Sequence, residues 1–233
     1  MYRFKQIKAK YSFVSEMITP WGDRSVYYRT EQVDAVPNMQ EGLTFILRGA
    51  ESELINNVPP KEFDFIMSQL GASLYPIEIQ VLKNGEIKKI RKFEEIKKRW
   101  ETSSKHTLSL YKNAYWVERY VNMTTKNFVS EEQFSRSLMR NSFVQLFFID
   151  EGAKSKEFML YDFPASGDCK AIHFELISID YDIYTYRTGQ SELRITYTDK
   201  GLVDELLFVC RVEVADQGYY TKRIKIKLIE NKK

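Results

Sequence analysis

Residues that carry chemistry are scarce in this sequence. It holds 2 histidines, His106 and His173, among 233 residues, which leaves little room for a histidine-built catalytic or zinc centre. Its 2 cysteines, Cys169 and Cys210, are too few for a disulfide framework, and the expected state of both is a reduced thiol. The glycines are scattered at turns and form no phosphate-cradling loop, and Ser166-Gly167 lacks the G-x-S-x-G frame of a nucleophile elbow. No apolar run reaches the length of a membrane span, since Phe143 to Ile149 is far too short. The opening Met1-Tyr2-Arg3-Phe4-Lys5 lacks the apolar core of a signal peptide, so a cytoplasmic protein is expected, with a leader removed beforehand as the alternative. A net charge of +3 is too small to argue for nucleic acid. The sequence thus predicts no catalytic residue set, no metal and no cofactor.

What is present is pattern. Phe93, Ile96 and Trp100 fall at i, i+3 and i+7 and predict a helix with one apolar face, supported by Glu94 and Glu95 four residues ahead of Lys98 and Arg99. Thr102, Ser103 and Ser104 read as a break that caps a second helix from about Thr107 to Met123. A third helix follows Ser130, with Gln133 completing a capping box. Ahead of this group, Pro59-Pro60 opens a helix whose stripe is Phe63, Ile66, Met67 and Leu70 and whose C′ residue is Gly71.

Period-two alternation flanks the helices. Tyr2 to Val36 reads as extended strands, Leu43 to Leu47 as a further strand, and Leu54-Ile55 as a short one pairing back on it. Ile77, Ile79 and Val81 lead into Asn84-Gly85, a strong hairpin turn, followed by Ile87 and Ile90. From Phe158 to Ile229 the alternation predicts an antiparallel meander, with turns at Thr188-Gly189, Asp199-Lys200-Gly201 and Asp216-Gln217-Gly218. The expected fold is α+β: antiparallel sheet formed by N- and C-terminal strands, packed against a central block of three to four helices. One domain is expected over 1–233, with strands over 1–57, helix and hairpin over 60–90, the helical block over 92–142 and the meander over 156–230. Whether the two sets of strands share one sheet is open from the sequence. The architecture resembles sheet-and-helix carriers that hold apolar ligands in a concave sheet, a likeness of shape that implies no function.

Three features stand as functional candidates. Aromatic residues crowd Tyr111, Tyr115, Trp116 and Tyr120 on one helix and Tyr181, Tyr184 and Tyr186 on one strand, suited to a partner or ligand surface or, more plainly, to the rim of a core. Lys88, Lys89, Arg91, Lys97 and Lys98 make the hairpin and first central helix basic, while Asp150, Glu151, Glu157, Asp162 and Asp168 make the region after the helices acidic. Arg223, Lys225 and Lys227 alternate with Ile224, Ile226 and Leu228. These cations read first as a solvated helix face and lysines guarding a sheet edge. His173 and Glu175 share a strand face near Asp180 and Asp182, which reads as the polar face of an amphipathic strand rather than an acid–base or metal group. His106 reads as exposed, Cys210 as a buried space-filling thiol, and Cys169 as a turn residue.

The expected function is that of a non-enzymatic binding protein recognising a protein partner, of an inhibitor, immunity or adaptor type. Carriage of an apolar small molecule is the first alternative. A hydrolase-like enzyme built on the His173 region is the second.

Overall fold

The computed structural model describes residues 7–38, 42–82, 86–148, 155–161, 163, 169–180, 183–199, 201–214 and 216–232. Three strands come first: β1 (Ile7–Ile18), β2 (Arg24–Asn38) and β3 (Gly42–Ile55). Helix α1 (Glu62–Ala72) leads to the hairpin β4 (Ile77–Leu82) and β5 (Ile87–Arg91). The helices α2 (Phe93–Leu110), α3 (Tyr115–Thr125), α4 (Glu131–Leu138) and α5 (Ser142–Phe147) follow, with a single 3-10 turn at Lys126–Phe128. Six strands complete the chain: β6 (Ser155–Tyr161), β7 (Cys169–Asp180), β8 (Ile183–Thr188), β9 (Ser191–Tyr197), β10 (Val203–Val214) and β11 (Gly218–Lys232).

All eleven strands form one antiparallel sheet in the order β5-β4-β3-β2-β1-β11-β10-β9-β8-β7-β6. Its centre is the pairing of the first described strand with the last, in register from Lys8 opposite Lys232 to Ile18 opposite Thr221, with one bulge at Lys10/Tyr11. The N- and C-terminal strands therefore share a single sheet. This overturns the expected architecture of a central helical block. Strand takes 53% of the structure and helix 29%, so the helices cover a sheet that organises the chain. The sequence could not weigh this, because a strand pair more than 200 residues apart leaves no local trace.

The parity of each strand decides its inner face. Ile7, Ala9, Tyr11 and Phe13 of β1 point inward and are buried, as do Ile77, Ile79 and Val81 of β4 and Ile224 and Ile226 of β11. The sheet is rolled, and a ring contact measures the roll. Phe158 on β6 and Phe208 on β10 meet with centroids 4.9 Å apart, although three strands lie between them. In a flat sheet those strands would stand about 19 Å apart. Phe174 on β7 closes on the same Phe208 at 5.8 Å. On the other flank the inner face is filled by α5: Phe147 packs edge-on to Tyr11 at 4.9 Å and Phe45 at 5.5 Å, and Phe143 packs on Phe13 at 5.9 Å.

Among the described residues β5 and β6 are the two sheet edges, and helix side chains cap both. Glu131 of α4 accepts from the Ile90 N–H at 2.8 Å. The Gln145 amide of α5 accepts from the Met159 N–H at 3.1 Å and donates to the Met159 carbonyl at 3.0 Å, as a neighbouring strand would. The short pair α4–α5 thus spans the seam between the edges and protects backbone groups that would otherwise template a further strand.

Several local expectations need correction. Helix α2 runs unbroken through Thr102–Ser104, because the Thr102 and Ser104 hydroxyls donate back to the carbonyls of Lys98 and Glu101 and do not cap a new helix. The chain turns instead at residues 111–114. Gly71 lies inside α1, which is capped by Ser73. Residues 43–55 form one strand with bulges opposite β2, not two that pair with each other. The Ser130 cap forms as expected, accepting from the Gln133 N–H at 3.1 Å. The expected Asn84-Gly85 turn, Tyr2, Phe4, Asp150, Glu151, Asp162, Ser166-Gly167, Asp168, Tyr181, Asp182 and Lys200 lie outside the described residues.

Candidate functional site

Helix α3 buries Val117 and Val121 and leaves its other faces outward. This outward surface carries Tyr115, 74% exposed, and Trp116, 41% exposed. Across from them stands Phe63 of α1, 41% exposed, which meets the Trp116 ring edge-on at 5.1 Å and the Tyr120 ring at 6.1 Å. Tyr120 is half-buried, and burial pushes its hydroxyl pKa up. Leu110 at the end of α2 and Tyr111 in the turn that leads to α3 are exposed as well. The result is an aromatic platform on the outer side of the helical layer, where a free-standing monomer gains nothing from large rings.

Phe63 was expected on the core stripe of α1. Only Ile66 and Leu70 of that stripe are buried, and Phe63 turns instead to the rings of α3. The signal that could have found it is the Phe63/Phe65 pair, two aromatics two residues apart, which one narrow helix stripe cannot hold.

A groove of about 620 Å³ is lined by Ser73, Glu95, Lys98, Arg99, Thr102, Ser103 and His106. Its α2 residues form the stripe opposite the buried Phe93, Ile96 and Trp100. Arg99 is committed to structure, donating to the carbonyls of Ser73, Leu74 and Pro76 and so tying α1 to α2.

The expected basic set is divided between two consecutive elements. Lys97 and Lys98 sit on α2, whereas Lys88, Lys89 and Arg91 sit on the edge strand β5, with Arg91 paired to Glu78 at 3.0 Å. Lysines do therefore guard an edge, but it is β5. The cationic strand β11, with Arg223, Lys225 and Lys227 exposed, lies at the centre of the sheet and pairs its charges with Glu16 and Glu205.

The strand tyrosines lie apart from the helical ones. Tyr186 is fully buried in the core, and Tyr184 is half-buried against Tyr197 with ring centroids 5.5 Å apart. His173 is 73% exposed on the outer face of β7, with Glu157 3.7 Å away; Glu175 is exposed two residues on, and Asp180 is exposed at the far end of the strand. Among the described residues no three His, Cys, Asp or Glu side chains are placed to hold a metal ion. Cys169 is exposed and Cys210 buried, and both are free. No helix of the described residues is long and apolar enough to cross a membrane.

An internal polar cluster went unrecognised in the sequence. Arg29 and Glu31 point inward from β2, in phase with Val33 and Ala35, and Tyr11 stands opposite Glu31 on β1. The Arg29 guanidinium lies over the rings of Phe13 at 5.2 Å and Phe143 at 5.5 Å, donates to Asn141 Oδ1 at 3.2 Å and pairs with Glu31 at 3.4 Å. Burial raises the Glu31 pKa, opposed by the Arg29 charge and the Gly49 backbone amide. Tyr75, buried beside them, has its hydroxyl pKa pushed up to about 12. Glu53 accepts from the Tyr27 hydroxyl at 2.6 Å and from the Ser68 hydroxyl. Asn141 also caps α5, so the cluster anchors that helix inside the roll. Two charges in phase with apolar neighbours on a strand were the available signal.

No protein-family model matches this chain. No curated protein matches it either. Among solved structures it is similar to the crystal structure of a beta-barrel-like protein with a domain of unknown function from Brucella abortus, at 11% identity over 99% of this chain and 98% of that one, with a TM-score of 0.24. So low a score adds nothing to the fold, which rests on this chain's own strand pairing.

Proposed function

We propose that this chain is a non-enzymatic binding protein that recognises a protein partner, as an inhibitor, immunity-type protein or adaptor does. The observation that carries the reading is the ring cluster of exposed Phe63 and Trp116 with half-buried Tyr120, to which the chain adds exposed Tyr111 and Tyr115. Aromatic residues of this kind are the usual anchors of an interface, since each buries a large area at low entropic cost. The reading places the protein in the cytoplasm, where its two unbridged cysteines are at home. A photo-crosslinker at Tyr115, in the cells the protein comes from, is expected to trap one predominant protein. That adduct disappears when Phe63 and Trp116 are both changed to Ser. An adduct pattern that the double change leaves intact, or that a crosslinker at Trp21 reproduces, would sink the proposal.

A second reading, carriage of an apolar small molecule, requires α5 to give way. Phe143 and Phe147 fill the concave face, and Asn141 and Gln145 fasten the helix to Arg29 and Met159. Native mass spectrometry of protein purified from its own cells reads this directly. A guest mass supports it, and the bare chain mass counts against it.

A further inference from the structure

One lysine of β11 faces the core. Arg223, Lys225 and Lys227 are exposed on the outer side of the sheet, but Lys222 is in phase with Ile224 and Ile226, which are fully buried on the inner side. It is itself partly buried. Its neighbours on that face are Tyr220 and Ile224 along the strand, Met17 opposite on β1 and Cys210 opposite on β10. Ile224 and Cys210 are buried, and Met17 and Tyr220 pack against the core. None of the four is a carboxylate.

The acids of the flanking segments are turned elsewhere. Glu16, beside Met17 in β1, is bonded by Arg24 and Arg223 on the outer face. Asp23 accepts from the Trp21 indole, Glu213 accepts from the Tyr219 hydroxyl, and Asp216 is exposed in the turn before β11. Burial pushes the Cys210 thiol up, and the charge of Lys170 on β7, of the same sign as an ammonium at Lys222, opposes that rise. Among the described residues Lys222 has no ion-pair partner. An ammonium so placed loses hydration and gains no counter-charge, which favours the neutral amine. Burial accordingly holds the Lys222 pKa below the usual lysine value.

We propose that Lys222 is a covalent capture site for short aliphatic aldehydes, a role that goes beyond partner recognition and uses none of the ring cluster. A desolvated neutral amine is a nucleophile at pH 7, where an exposed ammonium is not. Its lone pair adds to the carbonyl carbon, and the carbonyl oxygen then leaves as water with the two amine protons. A C=N bond thus replaces the C=O bond, and no oxidant or reductant enters. Met17 and Ile224 give the alkyl chain apolar surroundings.

The probe is butanal with cyanoborohydride, which reduces the imine and fixes the adduct for peptide mapping by mass spectrometry. At pH 7 and low occupancy, Lys222 is expected to be labelled at least tenfold faster than Lys225 and Lys227, the ratio that each unit of lowered pKa supplies. The ratio should close as pH rises through 10.5, where the exposed lysines lose their protons as well. In concentrated urea the three should react alike, because the advantage belongs to the fold. Met17→Glu sets a carboxylate opposite the amine and should cut the ratio below threefold, whereas Met17→Leu should keep it. Circular dichroism checks that both variants stay folded, and if Met17→Glu does not, the urea and pH comparisons decide. Labelling of Lys222 no faster than that of Lys225 overturns the proposal. So does a ratio that survives urea, ignores pH, or is left whole by a folded Met17→Glu.

Discussion

The two flanks of the central β1–β11 pair solve the same problem differently. Strands β6 to β10 roll until their own side chains meet, and the interior they enclose is apolar: Phe158, Phe174, Leu193, Ile195 and Phe208 are all buried there. Strands β2 to β5 are covered by helices, and their inner face admits Arg29, Glu31 and Glu53. A sheet that covers itself has only side chains of the same parity to bring together, so rings must fill the space. A helix brings its end as well as its face, and the Asn141 cap of α5 gives a buried guanidinium a polar partner. The self-covered flank is thus held by volume, and the helix-covered flank by volume plus a polar registration point.

The largest effect that would test this contrast belongs to the rolled flank. Phe208 is fully buried and touches rings from two strands that are not its neighbours. Phe208→Ala should cost about 4 kcal/mol, from lost burial and the cavity left behind. Urea denaturation checks this, and a midpoint within error of the parent would mean that the flank is not closed by that contact.

On the helix-covered flank the expected response depends on removing one charge or two. Glu31→Leu leaves Arg29 buried without its counter-charge and should cost about 3 kcal/mol. Arg29→Met with Glu31→Leu removes both and should return stability to within about 1 kcal/mol of the parent, as apolar replacements of buried pairs do. A double variant as unstable as the single one would show that the pair is essential as charge. A pH slope accompanies this. Burial raises the Glu31 pKa in the fold above its ordinary 4.5, so the folded state holds that proton more tightly than the unfolded chain does. The stability so contributed is present below pH 4.5 and lost as pH rises through the shifted value, and the double variant should lack this loss.

Parity was legible in the sequence and pairing was not. The buried Ile77, Ile79 and Val81, or Ile172 and Phe174, follow from alternation alone, because a strand face has a period of two wherever the strand pairs. That β1 lies against β11 has no such local signature, and without it the helices looked like the centre of the chain. Helix α5 spans only 6 residues, too few for a helical period to declare itself, yet its rings fill the concave face. Of the candidate site, Tyr111, Tyr115, Trp116 and Tyr120 were visible as a density of aromatics. Phe63 was hidden because stripe spacing cannot tell that this ring meets α3 and not the core. Arg29 and Glu31 were passed over as ordinary polar residues of a strand, although their phase with Val33 and Ala35 marked them as inward.

The smallest expected effect sharpens the comparison at the seam, where both flanks end. The Met159 N–H and carbonyl of the edge strand β6 are satisfied by one side chain, Gln145, and Gln145→Ala leaves both without it. Because this edge lies close enough to solvent for water to replace part of the loss, the cost should be about 1 kcal/mol, at the modest end for two hydrogen bonds. The sharper readouts are local. Exchange of the Met159 amide hydrogen should accelerate, and sedimentation should show self-association growing with concentration as the uncapped edge offers itself to a second chain. Glu131→Ala at the opposite edge frees a single N–H, that of Ile90, and should do the same more weakly. If Met159 stays protected and the variant stays monomeric, the Gln145 amide is not what closes β6, and α5 is held at the seam by the packing of Phe143 and Phe147 and by Asn141 on Arg29.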